Sequence, residues 1–149
     1  MKKTCYTSRL SQVCIREPIP CERDRILIVD DEKLVRDVFR RIVSFNIPDS
    51  RIDMATNGAE ALENFRIIHQ SVIVMDLMMP VMDGEAAFYQ IKSVCEVNNW
   101  EMPSIVFCTG YIPSDSVRKI IKMYPNHCLL QKPVKNEILI KTIKLRLAA

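Results

Sequence analysis

Short apolar runs alternate with longer amphipathic segments along most of this chain. The runs are rich in β-branched residues and lie at 25–29, 51–55, 72–75, 104–108 and 127–130. Several are almost entirely apolar, which is typical of strands that are covered on both faces. We therefore predict five strands, the first of which begins at Arg25.

Between these runs, apolar residues recur three and four positions apart, which is the spacing of one helix face. The first stripe contains Leu34, Val35, Val38, Phe39, Ile42 and Val43, and we expect all of these residues to pack in the core. Five strands that are each followed by a helix predict an α/β fold, with helices on both faces of a parallel sheet. In such sheets a ligand binds outside the carboxyl ends of the strands.

The first 24 residues differ from the rest because they show no sustained hydrophobic period. Pro18 and Pro20 close this stretch. We predict a flexible N-terminal extension over residues 1–24 and a single domain over residues 25–149. A chain of 149 residues buries enough surface to need no disulfide bonds.

Composition and charge exclude several classes of function. The formal net charge is +3 and the basic residues are dispersed, so we expect no direct nucleic-acid binding. No apolar run approaches the ~20 residues of a membrane span, and the N-terminus lacks the apolar core of a secretory signal. We therefore expect a cytoplasmic protein. The six cysteines have spacings that match no tetrahedral zinc framework, so no zinc site is predicted.

Residues that can carry chemistry lie within two positions of the ends of four predicted strands. Asp30 and Asp31 follow the first strand, Asp76 the third, Thr109 the fourth and Lys132 the fifth. An aspartate after one strand is ordinary, because it often caps the next helix. The placement of all these residues at one edge of the sheet is much stronger evidence for a functional site.

Converging carboxylates repel each other unless a pKa rises or a cation binds. Oxygen ligands with room for water suit Mg²⁺. Lys132 can offset charge on a phosphoryl oxygen, and the Thr109 hydroxyl can donate to another. Asp76 can then act as the nucleophile and form an aspartyl phosphate. Gly110 would let the backbone approach a bulky anion closely, although an ordinary turn glycine is the alternative.

These residues belong to longer motifs with a family resemblance. The motifs are Asp30-Asp31-Glu32, TNGAEAL at 56–62, DLMMPVMDG at 76–84, Thr109-Gly110 and Lys132-Pro133. In this order and spacing the chain resembles the response-regulator receiver domain from about residue 25 to residue 147. The resemblance implies a doubly wound five-stranded sheet of order 2-1-3-4-5, the flavodoxin-like receiver fold.

The resemblance also implies a function, namely a phosphoacceptor switch in a two-component phosphorelay. Asp76 would take a phosphoryl group from a sensor histidine kinase or a histidine phosphotransfer protein. Mg²⁺ would be held by Asp31, Asp76 and the Met78 carbonyl, with Asp30 assisting through water. The Lys132-Pro133 bond would be cis. The chain would be no enzyme beyond its own phosphorylation and dephosphorylation, and its output would be contact with a downstream protein.

Two departures from the family pattern affect these expectations. Leu129 stands where the family often has an aromatic residue that changes rotamer on phosphorylation. Met78 and Tyr111 occupy positions that set the dephosphorylation rate in the family. Neither orients an attacking water, so we expect a long-lived phosphoryl state.

Other functions fit the sequence less well. A flavodoxin-like electron carrier would place a phosphate against Asp30 and Asp31, which would repel it. A D-x-D phosphatase is excluded by Met78, and no G-x-x-x-x-G-K motif for nucleotide hydrolysis is present. Two alternatives stay open: an interaction module that keeps the fold without switching, and the receiver fragment of a hybrid histidine kinase. No helix-turn-helix follows residue 147 in this sequence.

Overall fold

The computed structural model describes residues 4–8 and 11–148, with side chains from Arg16 onward. Strands β1 (Thr4–Ser8) and β2 (Ser11–Ile15) form a two-stranded antiparallel sheet. The side chains of Cys5 and Cys14 lie outside the described residues, so the expectation that they bind no zinc stays a prediction.

A second sheet has five parallel strands. They are β3 (Glu22–Val29), β4 (Arg51–Ala55), β5 (Gln70–Asp76), β6 (Ser104–Thr109) and β7 (Cys128–Gln131). Their spatial order is β4-β3-β5-β6-β7, and every neighbouring pair is parallel. Counted from β3, this order is the predicted 2-1-3-4-5, so the predicted fold class is confirmed.

Five helices cover the two faces of this sheet. They are α1 (Lys33–Asn46), α2 (Gly58–Ile68), α3 (Gly84–Asn98), α4 (Asp115–Met123) and α5 (Asn136–Leu147). One apolar cluster joins α2, α3 and α4 to one face, and a second joins α1 and α5 to the other. Within the described part of the chain, no helix combines the length and apolarity needed to cross a bilayer.

The predicted core stripe of α1 is wrong at two positions. Val43 is fully buried, and Phe39 and Ile42 pack against the second cluster. Leu34 and Val38, however, are 74% and 43% exposed. Six apolar residues within ten positions make a stripe that is wider than the face of α1 that contacts the sheet.

The segment just before β3, which falls within the predicted flexible extension over residues 1–24, contacts the residues that follow α3. Ile19 forms a parallel bridge with Trp100: its N–H donates to the Asn99 carbonyl at 2.9 Å, and its carbonyl accepts from Glu101 N at 2.8 Å. Cys21 is buried, and β3 begins at Glu22 instead of Arg25. Backbone pairing needs no apolar period, which is why the pattern missed it. The extension falls partly on residues 1–3 and 9–10, outside the described residues, and the domain division stays a prediction.

Candidate functional site

The register of the sheet places the polar strand ends side by side. Val29 of β3 pairs with Met75 of β5, so Asp30 and Asp76 follow two paired residues. Asp76 in turn pairs with Cys108 of β6, and Thr109 is the next residue. Because all strands are parallel, these ends lie at one edge of the sheet, as the sequence predicted.

Three carboxylates meet at this edge. One oxygen from each of Asp30, Asp31 and Asp76 lies within 4.8 Å of the others. Asp30 and Asp76 are buried, whereas Asp31 is exposed. Carboxylate oxygens with one open side are a donor set that suits Mg²⁺, which keeps several of its waters. The residues therefore fit the predicted ion, while a contribution from the Met78 carbonyl stays a prediction.

Lys132 reaches the same cluster from the end of β7. Its Nζ lies 2.7 Å from Asp30 Oδ2 and 3.3 Å from Asp76 Oδ2. Its backbone N–H donates to the Thr109 carbonyl at 2.7 Å, which ties the ends of β6 and β7 together. The peptide bond between Lys132 and Pro133 is cis, as expected from the resemblance.

The electrostatics of the cluster follow from its burial and its charges. Burial raises the pKa of Asp76, and the nearby Asp30 carboxylate adds to this; the Lys132 ammonium opposes both but does not cancel them. Burial acts to lower the pKa of Lys132, but its hydrogen bond to Asp30 and the two carboxylate charges raise it on balance. Lys132 therefore stays an ammonium ion. Its positive charge only partly offsets the cost of burying the Asp76 carboxylate.

Thr109 is fully buried, and its hydroxyl oxygen accepts a hydrogen bond from Tyr111 N at 3.1 Å. Gly110 stands between them. A Cβ added there would meet no heavy atom within 4 Å, so crowding by the protein does not require glycine at this position. The expectation that Gly110 makes room for an anion stays a prediction.

The close approaches that do require glycine lie elsewhere, and sequence reasoning missed them. A Cβ on Gly84 would lie 2.3 Å from the Asp76 carbonyl oxygen, and one on Gly58 would lie 2.6 Å from the Met82 carbonyl oxygen. Gly84 N also donates to the Leu77 carbonyl at 2.9 Å. The start of α3 is thus in close contact with the backbone of Asp76 and Leu77. The only signal in the sequence was the position of these glycines directly before helical patterns.

Two further contacts at Asp30 could not be predicted from the sequence. The Arg36 guanidinium donates to the Asp30 carbonyl at 2.7 Å, one turn into α1. The backbone N–H of Glu32 donates to Asp30 Oδ1 at 2.9 Å. The Arg36 bond holds the backbone of Asp30 and the Glu32 bond orients its carboxylate, whose second oxygen faces Lys132.

The residues that depart from the family pattern have distinct environments. Leu129 pairs with Phe107 and packs, partly buried, against the α2–α4 side of the core. Met78 and Tyr111 are 59% and 65% exposed. A leucine on the sheet cannot make the ring movement expected of an aromatic residue, so the missing aromatic is a real difference from the pattern.

A doubly wound parallel sheet with three aspartates and a lysine at its carboxyl edge defines the class of receiver domains. The chain belongs to the response regulator receiver domain family, whose model matches residues 26–144.

Known proteins agree with this assignment. Response regulator MprA of Mycobacterium ulcerans is 41% identical over 69 residues, which are 46% of this chain and 29% of that protein. Chemotaxis protein CheY of Halobacterium salinarum is 29% identical over 101 residues, covering 66% of this chain and 76% of that protein. The chain thus spans less than a third of MprA, but most of CheY.

A solved structure gives the same fold. The signal receiver domain of the DNA binding response regulator protein merR from Colwellia psychrerythraea superposes with a TM-score of 0.70. The two chains are 29% identical, and the superposition covers 84% of this chain and 98% of that one. The receiver fold inferred from the sequence is therefore confirmed by sheet order and by structural similarity.

Proposed function

We propose that this receiver domain is a phosphoacceptor switch that takes a phosphoryl group from a phosphohistidine donor onto Asp76. The observation that carries the proposal is the shared lysine. Lys132 Nζ contacts the carboxylates of both Asp30 and Asp76, beside the third carboxylate of Asp31. A cation and an acid cluster around the buried carboxylate of Asp76 form a site that can offset the charge of an incoming phosphoryl group.

In the proposed reaction an oxygen of Asp76 attacks the phosphorus of the phosphohistidine. An O–P bond forms as the N–P bond breaks, and the imidazole leaves with the bond's electron pair and takes up a proton. The backbone N–H of Met78 donates to Asp76 Oδ1 at 3.3 Å, so one oxygen is oriented and the other faces Lys132. Mg²⁺ would be held by Asp31, Asp76 and the Met78 carbonyl, with Asp30 assisting through water, and would supply charge compensation for the phosphoryl oxygens.

Lys132 and Thr109 would bind the phosphoryl group on Asp76 and move in response to it. The ammonium ion of Lys132 can leave Asp30 and bond a phosphoryl oxygen, and the hydroxyl of Thr109 can donate to another. Thr109 Oγ1 now holds the backbone of Tyr111, so its rotation would release the exposed loop at 110–112. The exposed side chains of Tyr111 and Ile112 are therefore the proposed output surface.

Intact mass after treatment with acetyl phosphate and Mg²⁺ tests the chemistry. The wild-type chain should gain one phosphoryl group, and Asp76→Asn should gain none. Asp49→Asn is the matched control, because Asp49 is an exposed aspartate outside the acid cluster. Labelling of Asp76→Asn at the wild-type level would refute the assignment.

A thermal melt tests the metal separately. Mg²⁺ that binds only the folded chain raises stability by mass action. We expect millimolar Mg²⁺ to raise the melting temperature of the wild type and to have a smaller effect on Asp31→Asn. An unchanged melting temperature in both proteins would show that the acid cluster does not hold the ion.

The non-switching alternative rests on Leu129, which cannot supply the aromatic half of the relay. Amide NMR of the apo and beryllofluoride-bound chain separates the two functions. A switch shifts the resonances of residues 110–140, whereas a non-switching module shifts only those of the acid cluster. The histidine-kinase or phosphotransfer donor, the downstream protein target and the cytoplasmic location remain parts of the proposal.

A further inference from the structure

A cavity of about 320 Å³ opens between the C-terminal half of α3 and the segment that joins α4 to β7. Its walls include Phe88, Trp100, Met102 and Tyr124. It lies near the start of β6, whereas the acid cluster lies beyond the end of that strand. Ile105 and Thr109 are four positions apart on β6, which corresponds to about 13 Å along the strand.

His127 lines this cavity and is only 5% exposed. Its Nδ1 lies 3.0 Å from the backbone N–H of Ile105 and accepts that hydrogen bond. The ring proton of the neutral imidazole is therefore on Nε2. No described residue bonds Nε2. Among the described residues, Gln70 Oε1 is the fully buried side-chain polar atom that has no hydrogen-bond partner. Nε2 of His127 also has no partner among these residues, but it is not fully buried, so it reaches accessible space.

The two charged residues that line the cavity, Lys92 and Glu96, compensate each other. Burial lowers the pKa of His127 to about 4, with a smaller contribution from Arg146, so the imidazole is neutral at pH 7. At the rim, Lys92 and Glu96 form an ion pair with each other. A charged ligand would lose its hydration without gaining a partner charge. A neutral ligand is therefore favoured.

The shape of the cavity and the Nε2 donor of His127 narrow the class of ligand further. Phe88 meets the His127 ring edge to face, with centroids 5.1 Å apart, and Tyr124 stands 6.1 Å from the same ring. Phe88 is 1% exposed, so the accessible aromatic rings are those of Trp100 and Tyr124, and these rings favour a planar aromatic guest. The volume is at the lower end of the range of about 300–1,000 Å³ that is typical of small-molecule sites.

We propose that this cavity binds a neutral, planar aromatic molecule whose carbonyl or hydroxyl oxygen accepts a hydrogen bond from His127 Nε2. Such a site is independent of the phosphoryl chemistry, because its residues and those of the acid cluster do not overlap. Binding should therefore persist in Asp76→Asn.

Two matched probes test the proposal on the full chain by ¹⁹F NMR titration. 4-Fluoroacetophenone has a carbonyl acceptor, and 1-ethyl-4-fluorobenzene has nearly the same shape without one. We expect the ketone to bind about threefold to tenfold more tightly, the range that corresponds to one neutral hydrogen bond. The preference should vanish in His127→Phe and remain in His69→Phe, since His69 does not line the cavity and phenylalanine keeps an aromatic ring beside Trp100.

A second measurement needs no variant. The Nε2 proton resonance of His127 in the wild type should shift on addition of the ketone and stay in place on addition of the ethyl probe. Equal affinity for the two probes, or an unchanged Nε2 resonance with the ketone, would overturn the hydrogen bond to His127. Absence of binding by either probe would overturn the site.

Discussion

His127 should make the folded domain sensitive to acid, and the size of the effect follows from its environment. Burial lowers its pKa from 6.5 to about 4 in the folded chain, whereas the unfolded chain keeps the ordinary value. Between these values the unfolded state binds more protons, so the free energy of unfolding falls as the pH falls. The stabilisation is complete above pH 6.5. By pH 4 the loss should reach about 3 kcal/mol, at 1.36 kcal/mol for each pKa unit.

Urea unfolding at pH 7 and pH 4 measures this loss. Carboxylates also titrate in this range, so the comparison is with His127→Gln, whose amide oxygen can still accept from Ile105 N. The wild type should lose about 3 kcal/mol more than the variant between the two pH values. Equal losses in the two proteins would refute the neutral, buried imidazole.

Three further predictions use urea unfolding at pH 7. Val81 is exposed and has φ 68°, a left-handed conformation that disfavours a β-branched residue, so Val81→Asn should stabilise the fold by about 1 kcal/mol. Gly84→Ala should destabilise it by roughly 1–3 kcal/mol, because the new Cβ meets the backbone of Asp76, whereas Gly110→Ala should change it by less than about 0.5 kcal/mol. Asn57→Ala removes the side-chain acceptor at the start of α2 and should cost about 1 kcal/mol. A change of the opposite sign in the free energy of unfolding would contradict any of these predictions. Equal effects of Gly84→Ala and Gly110→Ala would contradict the second.

The sequence predicted the sheet and the location of the site because both depend on strong, simple rules. Apolar runs located the five parallel strands, although β3 begins three positions before Arg25 and β7 begins at Cys128. Parallel strands end at one edge, so Asp30, Asp76 and Lys132 were expected at the same edge of the sheet. The resemblance supplied the sheet order and the cis bond, which periodicity alone could not give.

The rest depends on contacts that leave no pattern in the sequence. The bridge of Ile19 to Trp100 is made by backbone atoms. Gly84 is required because the Asp76 carbonyl oxygen leaves no room for a Cβ. Lys132 Nζ bonds Asp30 at 2.7 Å, more closely than Asp76 at 3.3 Å, and Asp30 lies 102 residues away along the chain. Such contacts depend on how whole elements pack, not on the residues beside them.

The bridge between Ile19 and Trp100 has an optical consequence. Trp100 is the single tryptophan of the chain, and its indole lies 4.1 Å, centroid to centroid, from the imidazole of His69. Tryptophan emission therefore originates where the N-terminal segment around Ile19 contacts the end of α3, far from the phosphoryl site. A change in that emission on phosphorylation would mean that the signal had crossed the domain to the residues that hold the N-terminal segment in place.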